Sequence, residues 1–178
     1  MKTKQILIAL SMLLIPAVAL EGATEVTVTK SSKFARDAVS RVAIVTLDCS
    51  EAINCSNLAE RSIEELEELR LPFEVIPETA LRQLYFDHDI EGYSADQRAF
   101  LLETLKLDGL IEVSVPFASR SGGWGGTTRS QTRVEVELVL PDGTVLFRGI
   151  GHGRPLNVVS SPEKLTARLI KEIFEEAY

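Results

Sequence analysis

The sequence predicts an α/β (α+β) fold in which a single mixed sheet of five strands packs against about four helices. Early β-branched segments are separated by stretches with helical periodicity, which is typical of parallel strands joined by helical crossovers. Later apolar segments are separated by short turns, which is typical of an antiparallel meander. We therefore expect a parallel first half of the sheet, an antiparallel second half and one final helix.

The first strand of the predicted sheet is the continuous β-branched run at 41–47, a pattern expected when both faces of a strand are buried. The next elements are, in order, a helix capped by Asn57 that runs to about Leu69, a strand at 73–76, a helix from Pro77 to about Tyr85, and a helix that begins at the capping box of Ser94 and Gln97. Together these segments predict the parallel half.

The antiparallel half consists of three segments and a last helix. The strands are predicted at 110–118, 129–140 and 144–150, with a Gly-rich turn at 121–126 and a tight turn at 141–143. Ser160 or Ser161 caps the last helix, and Pro162 occupies its first turn. The glycines from Gly149 to Gly153 superficially resemble a phosphate-binding loop, but no helix follows whose amino terminus could bind a phosphate. We therefore expect a bulge or a tight strand exit at this position. We accordingly expect a structural role for His152.

Residues 1–23 have the features of a secretory signal peptide. Two lysines precede an almost wholly apolar run that ends at Ala19, and small residues follow it. The run is shorter than the roughly 20 apolar residues that a membrane-spanning helix needs. We expect cleavage near Ala19 or Ala23, a periplasmic or secreted location, and no stable membrane insertion.

The part that remains after cleavage is acidic and long enough for one domain. Cleavage removes two lysines and one glutamate, so the formal charge falls from −7 to −8. About 155 residues remain, which suits a single buried core. An acidic chain without a basic stripe is a poor partner for nucleic acid. We expect an edge strand and linker at 24–40 and a single periplasmic domain at 41–178.

The two cysteines, Cys49 and Cys55, are six positions apart. An even number of cysteines in an exported chain favours a disulfide. The spacing differs from the Cys-x-x-Cys of redox-active pairs, and only His88 and His152 are available as further soft ligands for zinc. The sequence therefore predicts a structural disulfide and no metal site.

The most distinctive candidate for partner binding is Trp124, which lies between Gly123 and Gly125. Tryptophan is enriched at the energetic centres of protein interfaces, although this side chain could also fold back over the sheet edge. The segment Asp87–Asp89, with Glu91 beyond it, lacks the spacing of a metal loop and is expected to be a polar surface loop.

Catalytic motifs are absent from the sequence. There is no Gly-x-Ser-x-Gly elbow, His-Glu-x-x-His pair or Walker sequence. The acidic run at 64–68 is expected to be the solvated face of a helix. We predict no catalytic residues and no cofactor, and hence that the protein is not an enzyme.

Three segments in order resemble a known group of envelope proteins. They are Arg41–Asp48, Leu105–Ser114 and Val136–Phe147. Their pattern is similar to the periplasmic α/β module of the TolB amino-terminal domain, the curli secretion channel subunit and the lipoprotein activators of penicillin-binding proteins. The resemblance implies an envelope domain that works through protein contacts. No cysteine precedes Cys49, so the lipid anchor of many such proteins is not expected.

The leading functional expectation is a soluble, exported, non-catalytic accessory domain of a bacterial envelope assembly, with envelope proteins as its partners. The identity of the partner and the oligomeric state stay open. The alternative is a small-ligand-binding periplasmic domain. Its site is expected in the crevice at the carboxyl ends of the parallel strands, near Asp48 and Val75–Pro77.

Overall fold

The computed structural model describes residues 23–88, 94–122, 128–154 and 161–178. Its elements are β1 (Ala23–Lys30), β2 (Arg41–Cys49), α1 (Cys55–Glu67), β3 (Glu74–Ile76), α2 (Glu78–Asp87), α3 (Ala95–Leu105), β4 (Gly109–Gly122), β5 (Thr128–Val139), β6 (Val145–Arg154) and α4 (Pro162–Ala177). Within these ranges the strands form one sheet in the order β1-β6-β5-β4-β2-β3. β2 is parallel to β3 and β4, and the other neighbours are antiparallel. The predicted mixed sheet and four helices are confirmed.

The sheet has six strands, so the expectation of five was wrong. All eight residues of β1 pair antiparallel with β6, from Ala23 opposite Arg154 to Lys30 opposite Phe147. Val26 and Val28 pack against the core, whereas Thr27 between them and Thr29 after them are exposed. The short alternating segment therefore gains its stability from a ladder with a strand more than a hundred residues away, which local periodicity does not reveal.

The larger core lies between one face of the sheet and the helices α1 and α4. Val42 and Ile44 of β2 contribute to it, together with alternate residues of β4, β5 and β6. From α4, the fully buried side chains of Leu169, Ile173 and Phe174 pack onto this face. This apolar face of α4 is thus the surface that covers the antiparallel half of the sheet.

The smaller core lies on the opposite face, beneath α2 and α3. Ala43 and Val45 alternate with the β2 residues of the first core and pack against Leu81 of α2 and Leu101 of α3. These helices cover the parallel half only. On the same face of β5 and β6, the described side chains are largely polar, including Arg133, Glu135, Glu137, Arg148 and His152.

Two of the predicted helix starts are confirmed and one is corrected. Ser94 and Gln97 form the full capping box of α3, and Ser161 accepts the Lys164 N–H at the start of α4. In α1 the cap is Asn54 and not Asn57: the Asn54 side chain accepts the backbone N–H of Asn57 at 3.1 Å. Ile53, which precedes this cap, is buried in the larger core, and the helix begins at Cys55, directly after the cap.

The glycines at 149–153 do not form a bulge or a strand exit, because β6 continues through them in register with β5. Gly149, Gly151 and Gly153 all face α4. A methyl group on Gly149 would approach Ile173 Cγ2 more closely than two carbon atoms can, and one on Gly153 would lie 3.1 Å from Leu165 Cδ1. The absence of side chains lets α4 pack directly on the strand.

The hairpin between β4 and β5 is longer than expected. β4 continues to Gly122 and β5 begins at Thr128, so Ser121 and Gly122 belong to a strand and not to the predicted turn. Cross-strand pairs such as Ser121 with Arg129 extend the ladder. None of the helices in the described ranges has the length and apolar composition needed to cross a membrane.

Candidate functional site

A broad depression lies at the carboxyl end of β2, and we call it the turn cavity. It has a volume of about 680 Å³ and is lined by the turn after β2 and by the middle of β4. A disulfide joins Cys49 and Cys55 across this turn. The cavity therefore occupies the sheet edge at which ligands bind in many open α/β folds.

The polar groups of the turn cavity do not converge on a common point. The backbone N–H of Ser50 donates to Val115 O at 2.9 Å, and the Ser50 hydroxyl donates to Ala118 O at 3.2 Å. Asp48 and Glu51 are exposed carboxylates on the cavity rim. With its hydroxyl engaged in holding β4, Ser50 is a structural residue, and the cavity is an open, weakly acidic surface.

The second half of the predicted crevice lies elsewhere. Val75 pairs with Val42, six residues before Asp48 along β2. At the rise of about 3.3 Å per residue in a strand, this separation is on the order of 20 Å. Asp48 lines the turn cavity, but Val75–Pro77 do not contribute to it.

A second cavity, the edge slot, runs along the outer edge of β2 between α1 and α2. Its volume is about 190 Å³. We define it by Thr46 of β2, Ser56 and Ala59 of α1, and Leu81 and Tyr85 of α2. Burial raises the pKa of the Tyr85 hydroxyl, so this side chain stays neutral and presents a largely apolar wall. The slot was not predicted from the sequence.

A third cavity, of about 270 Å³, lies on the uncovered face of the antiparallel half. Phe117, Arg133 and His152 stand side by side on β4, β5 and β6, and Phe117 is 48% exposed. Arg133 is paired with Glu135 at 2.7 Å, and Glu25 stands beside His152 on β1. The ion pair of Arg133 with Glu135, the carboxylate of Glu25 and the ring of Phe117 together give this sheet-face cavity a mixed polar and apolar character.

The loop around His88 does not bring metal ligands together in the described residues. The imidazole of His88 packs edge to face with Phe100 at 4.8 Å between ring centroids, and Asp87 accepts the Gln83 amide at 2.7 Å. Asp89 and Glu91 lie outside the described residues. In the ranges that the structure describes, no group of three or more His, Cys, Asp or Glu is placed to hold a metal ion.

The predicted partner-binding residues Trp124, Gly123 and Gly125 also lie outside the described residues. The structure does describe the base of their hairpin, where Gly122 pairs with Thr128. Their role stays a prediction.

Asp108 accepts three hydrogen bonds, and its role is structural. Its Oδ2 accepts the Ser40 hydroxyl, the Ser40 N–H and the Arg41 N–H, the last two at 3.0 Å. These bonds, above all those from Ser40, hold the pKa of Asp108 below its usual value. The carboxylate thereby joins the start of β2 to the turn before β4.

The fold and its surfaces define a small mixed α/β domain with open grooves. No protein-family model matches the chain, and no curated protein sequence matches it. Solved structures are nonetheless similar. The PelC dodecamer from Paraburkholderia phytofirmans has 13% identity and a TM-score of 0.59, covering 87% of this chain and 97% of the PelC chain. Lipoprotein GNA1162 from Neisseria meningitidis has 14% identity and a TM-score of 0.53, covering 76% and 99%.

A PelC variant from the same organism gives 12% identity and a TM-score of 0.56 over 88% of this chain. At such identities the likeness is one of fold. It establishes that the arrangement of strands and helices seen here is shared with PelC and with a bacterial lipoprotein. The resemblance to the TolB domain, the curli channel subunit and the penicillin-binding-protein activators stays a prediction.

Proposed function

We propose that this chain is an exported, non-catalytic accessory domain of a bacterial envelope assembly, acting through contacts with other envelope proteins. The observation that carries the proposal is the fold shared, over most of the chain, with PelC and lipoprotein GNA1162. The signal-peptide features of residues 1–23 and the disulfide between Cys49 and Cys55 support an oxidising compartment outside the cytoplasm.

The surface chemistry of the described residues supports contact over catalysis. The three cavities considered above are open grooves, and their polar side chains are either exposed singly or engaged in structural bonds, as with Ser50. A nucleophile held against a base, or a pair of converging carboxylates, would argue for an enzyme. The described residues offer neither arrangement at these cavities.

In-cell crosslinking tests the proposal. The full chain with a carboxyl-terminal tag is expressed in its host, crosslinked in intact cells, and purified under denaturing conditions before its partners are identified by mass spectrometry. We expect a small, reproducible set of envelope proteins. A tagged periplasmic protein of unrelated fold is the control, and recovery of no envelope protein beyond that control contradicts the proposal.

The role of Trp124 is tested within the same experiment. If the side chain anchors a partner, Trp124→Ala removes specific crosslinks, because a buried aromatic contact at an interface centre contributes much of its binding energy. Phe86→Ala is the matched control, since Phe86 is an aromatic residue 85% exposed on α2. An unchanged partner set for Trp124→Ala excludes this role.

The turn cavity favours the alternative proposal, a small-ligand-binding domain. Its volume of about 680 Å³ is within the range of ligand sites, and it lies at the carboxyl end of β2. Screening a metabolite library by thermal shift tests it. A ligand whose stabilising effect is lost in Asp48→Ala and kept in Asp37→Ala, a distant exposed carboxylate, would establish the alternative.

A further inference from the structure

The outer edge of β2 is only partly covered by β3. The two strands pair over three residues, from Arg41 opposite Glu74 to Ala43 opposite Ile76. Pro77 follows at once and leads into α2, so β3 ends there. In the described part of the chain, no strand lies beside β2 on this side after Ala43.

The direction of the backbone groups along β2 follows from two hydrogen bonds. Ser40 O accepts the Glu74 N–H at 2.9 Å, so the carbonyl of Ser40 points to the side of β3. Arg41 O accepts the Asp108 N–H at 2.8 Å, so Arg41 faces the side of β4. Because successive residues of a strand alternate, Ile44 and Thr46 face the side of β3. The Ile44 amide belongs to the last pairing of the ladder, with Ile76, so the groups that lie beyond the end of β3 are the Ile44 carbonyl and the amide and carbonyl of Thr46.

The two helices beside this edge form walls above and below it. α1 covers one face of the sheet and α2 covers the other. The edge slot lies between the two helices, at the place where one more strand would continue the sheet. Ser56 and Ala59 make a wall of small residues on the α1 side. Leu81 and Tyr85 make a largely apolar wall on the α2 side, and the exposed Arg82 lies beside them.

We propose that the edge slot binds an extended peptide segment of another protein, which adds to the sheet as a strand beside Ile44–Thr46. A row of backbone donors and acceptors is complemented by the backbone of another strand, which is the basis of recognition by strand addition. β3 already occupies the first part of the same position. Alternate side chains of the peptide face Ala59 and the pair of Leu81 and Tyr85, so apolar β-branched residues fit the second wall.

The other edge of the sheet lacks this construction. β1 is an edge strand along its whole length, but α4 packs on one face of it and no described helix packs on the other. Its outward residues are polar and include Lys30, which disfavours pairing with another strand. The edge slot is therefore the better-formed acceptor for a strand.

The inference deepens the proposed function, since it gives one means by which the domain holds a partner and rests on that contact role. The experiment is chosen to separate the two. A defined peptide tests the slot alone, whereas the crosslinking above tests the assembly. If the chain crosslinks to envelope proteins but does not bind the peptide, the proposed function stands and the proposal for the edge slot is wrong.

The probe is an acetylated and amidated octapeptide of alternating valine and threonine with a lysine at each end, titrated into the ¹⁵N-labelled mature protein. We expect amide shifts at Ile44–Thr46 and at Ser56 and Ala59, with slowed hydrogen exchange at Thr46. Two further peptides carry N-methyl groups, one on its odd residues and the other on its even residues. One of the two should bind at least tenfold more weakly than the unmethylated peptide, because its methyl groups replace the amide hydrogens that face β2.

Thr46→Pro removes the one amide that faces the slot and leaves the bonds of Val45 to β4 intact, a position at which an edge strand tolerates proline. We expect it to weaken binding about tenfold or more. Thr46→Val, which keeps the amide and the shape of the side chain, should bind as the unaltered protein does. Circular dichroism and thermal melting show whether each variant is folded.

A second pair of variants keeps the proposal falsifiable if Thr46→Pro fails to fold. Ser56→Tyr fills the slot from the α1 wall and should abolish binding, whereas Asn57→Tyr, its exposed neighbour outside the slot, should not. No binding at millimolar peptide, shifts confined to β1, or equal binding by Ser56→Tyr overturns the proposal. So does self-association through the slot without peptide, which would assign it to a second copy of the chain.

Discussion

At the scale of single residues, the glycines of β6 determine how closely α4 packs on the sheet. The positions are not interchangeable, because the space opposite each differs. At Gly149 the side chain of Ile173 occupies the space where a Cβ would lie, whereas at Gly151 the nearest atom, Val134 Cγ1, is 3.1 Å from that position. We therefore expect a methyl group added at Gly149 to lower the stability of the protein more than one added at Gly151.

Gly149→Ala is expected to lower the free energy of unfolding by about 1–3 kcal/mol, the usual cost of forcing an extra carbon into a packed core. Gly151→Ala should cost less. Urea denaturation measures both. In the double variant of Gly149→Ala with Ile173→Ala, the loss should be smaller than the sum of the single losses, since the clash is removed. Additive losses would show that the two side chains do not meet.

Asp108 gives a residue-level prediction with a defined pH dependence. Its pKa is lower in the folded protein than in the unfolded chain, where it is about 3.9. Its contribution to stability is therefore fully present above that unfolded value and is lost as the pH falls through the folded pKa. Asp108 is exposed, so solvent screening limits the contribution to less than about 1 kcal/mol.

The expected result is that Asp108→Asn is less stable than the unaltered protein at pH 7 and that this difference shrinks as the pH is lowered into the acid range, measured by thermal melting. Asp37→Asn, an exposed carboxylate in the segment before β2, is the control and should change little at either pH. A difference between Asp108→Asn and the unaltered protein that persists unchanged in acid would mean that charge is not the cause.

At the scale of elements, the disulfide links the end of β2 to the start of α1. Its six-residue separation closes a small loop, and the chain-entropy relation gives about 2 kcal/mol for a loop of this size. The bond also fixes the first turn of α1 beside the edge slot, because Cys55 lines that slot.

We expect the double variant of Cys49→Ser and Cys55→Ser to lose about 2 kcal/mol of unfolding free energy in urea and to keep its far-ultraviolet circular dichroism. Addition of a reductant should produce a similar loss in the unaltered protein and none in the double variant. Collapse of the secondary structure on reduction would show that the bond is required for folding and does more than stabilise one turn.

Helix starts show how far local sequence rules extend. The capping box of Ser94 and Gln97 was predictable because both partners lie within one turn of the same helix. Asn54 and Asn57 are both suitable caps for α1. Asn54 is the cap in the folded chain, where it follows Ile53, a residue buried in the larger core, and this tertiary contact is not visible in the local sequence.

At the scale of the whole molecule, β1 completes the sheet and protects β6. Val26 and Val28 pack against the larger core, and α4 packs on β1 as well as on β5 and β6. Removal of β1 would expose the backbone of β6 as a long new edge, the kind of surface through which strands associate.

A chain that begins at Ser31 is therefore expected to melt several degrees lower than one that begins at Ala23 and to self-associate at high concentration. Differential scanning calorimetry and analytical ultracentrifugation measure the two effects. Unchanged melting and a monodisperse truncated chain would show that the sheet is complete with five strands.

The sequence by itself determined the elements whose signals are local. The mixed sheet, the change from parallel to antiparallel pairing and the four helices follow from periodicity, caps and turns within each segment. Only the tertiary structure decided which segments meet: β1 with β6, the glycines of β6 with α4, and the slot that β3 leaves open beside β2. The physical reason is that these features arise from contacts between residues far apart in the chain, which no single segment encodes.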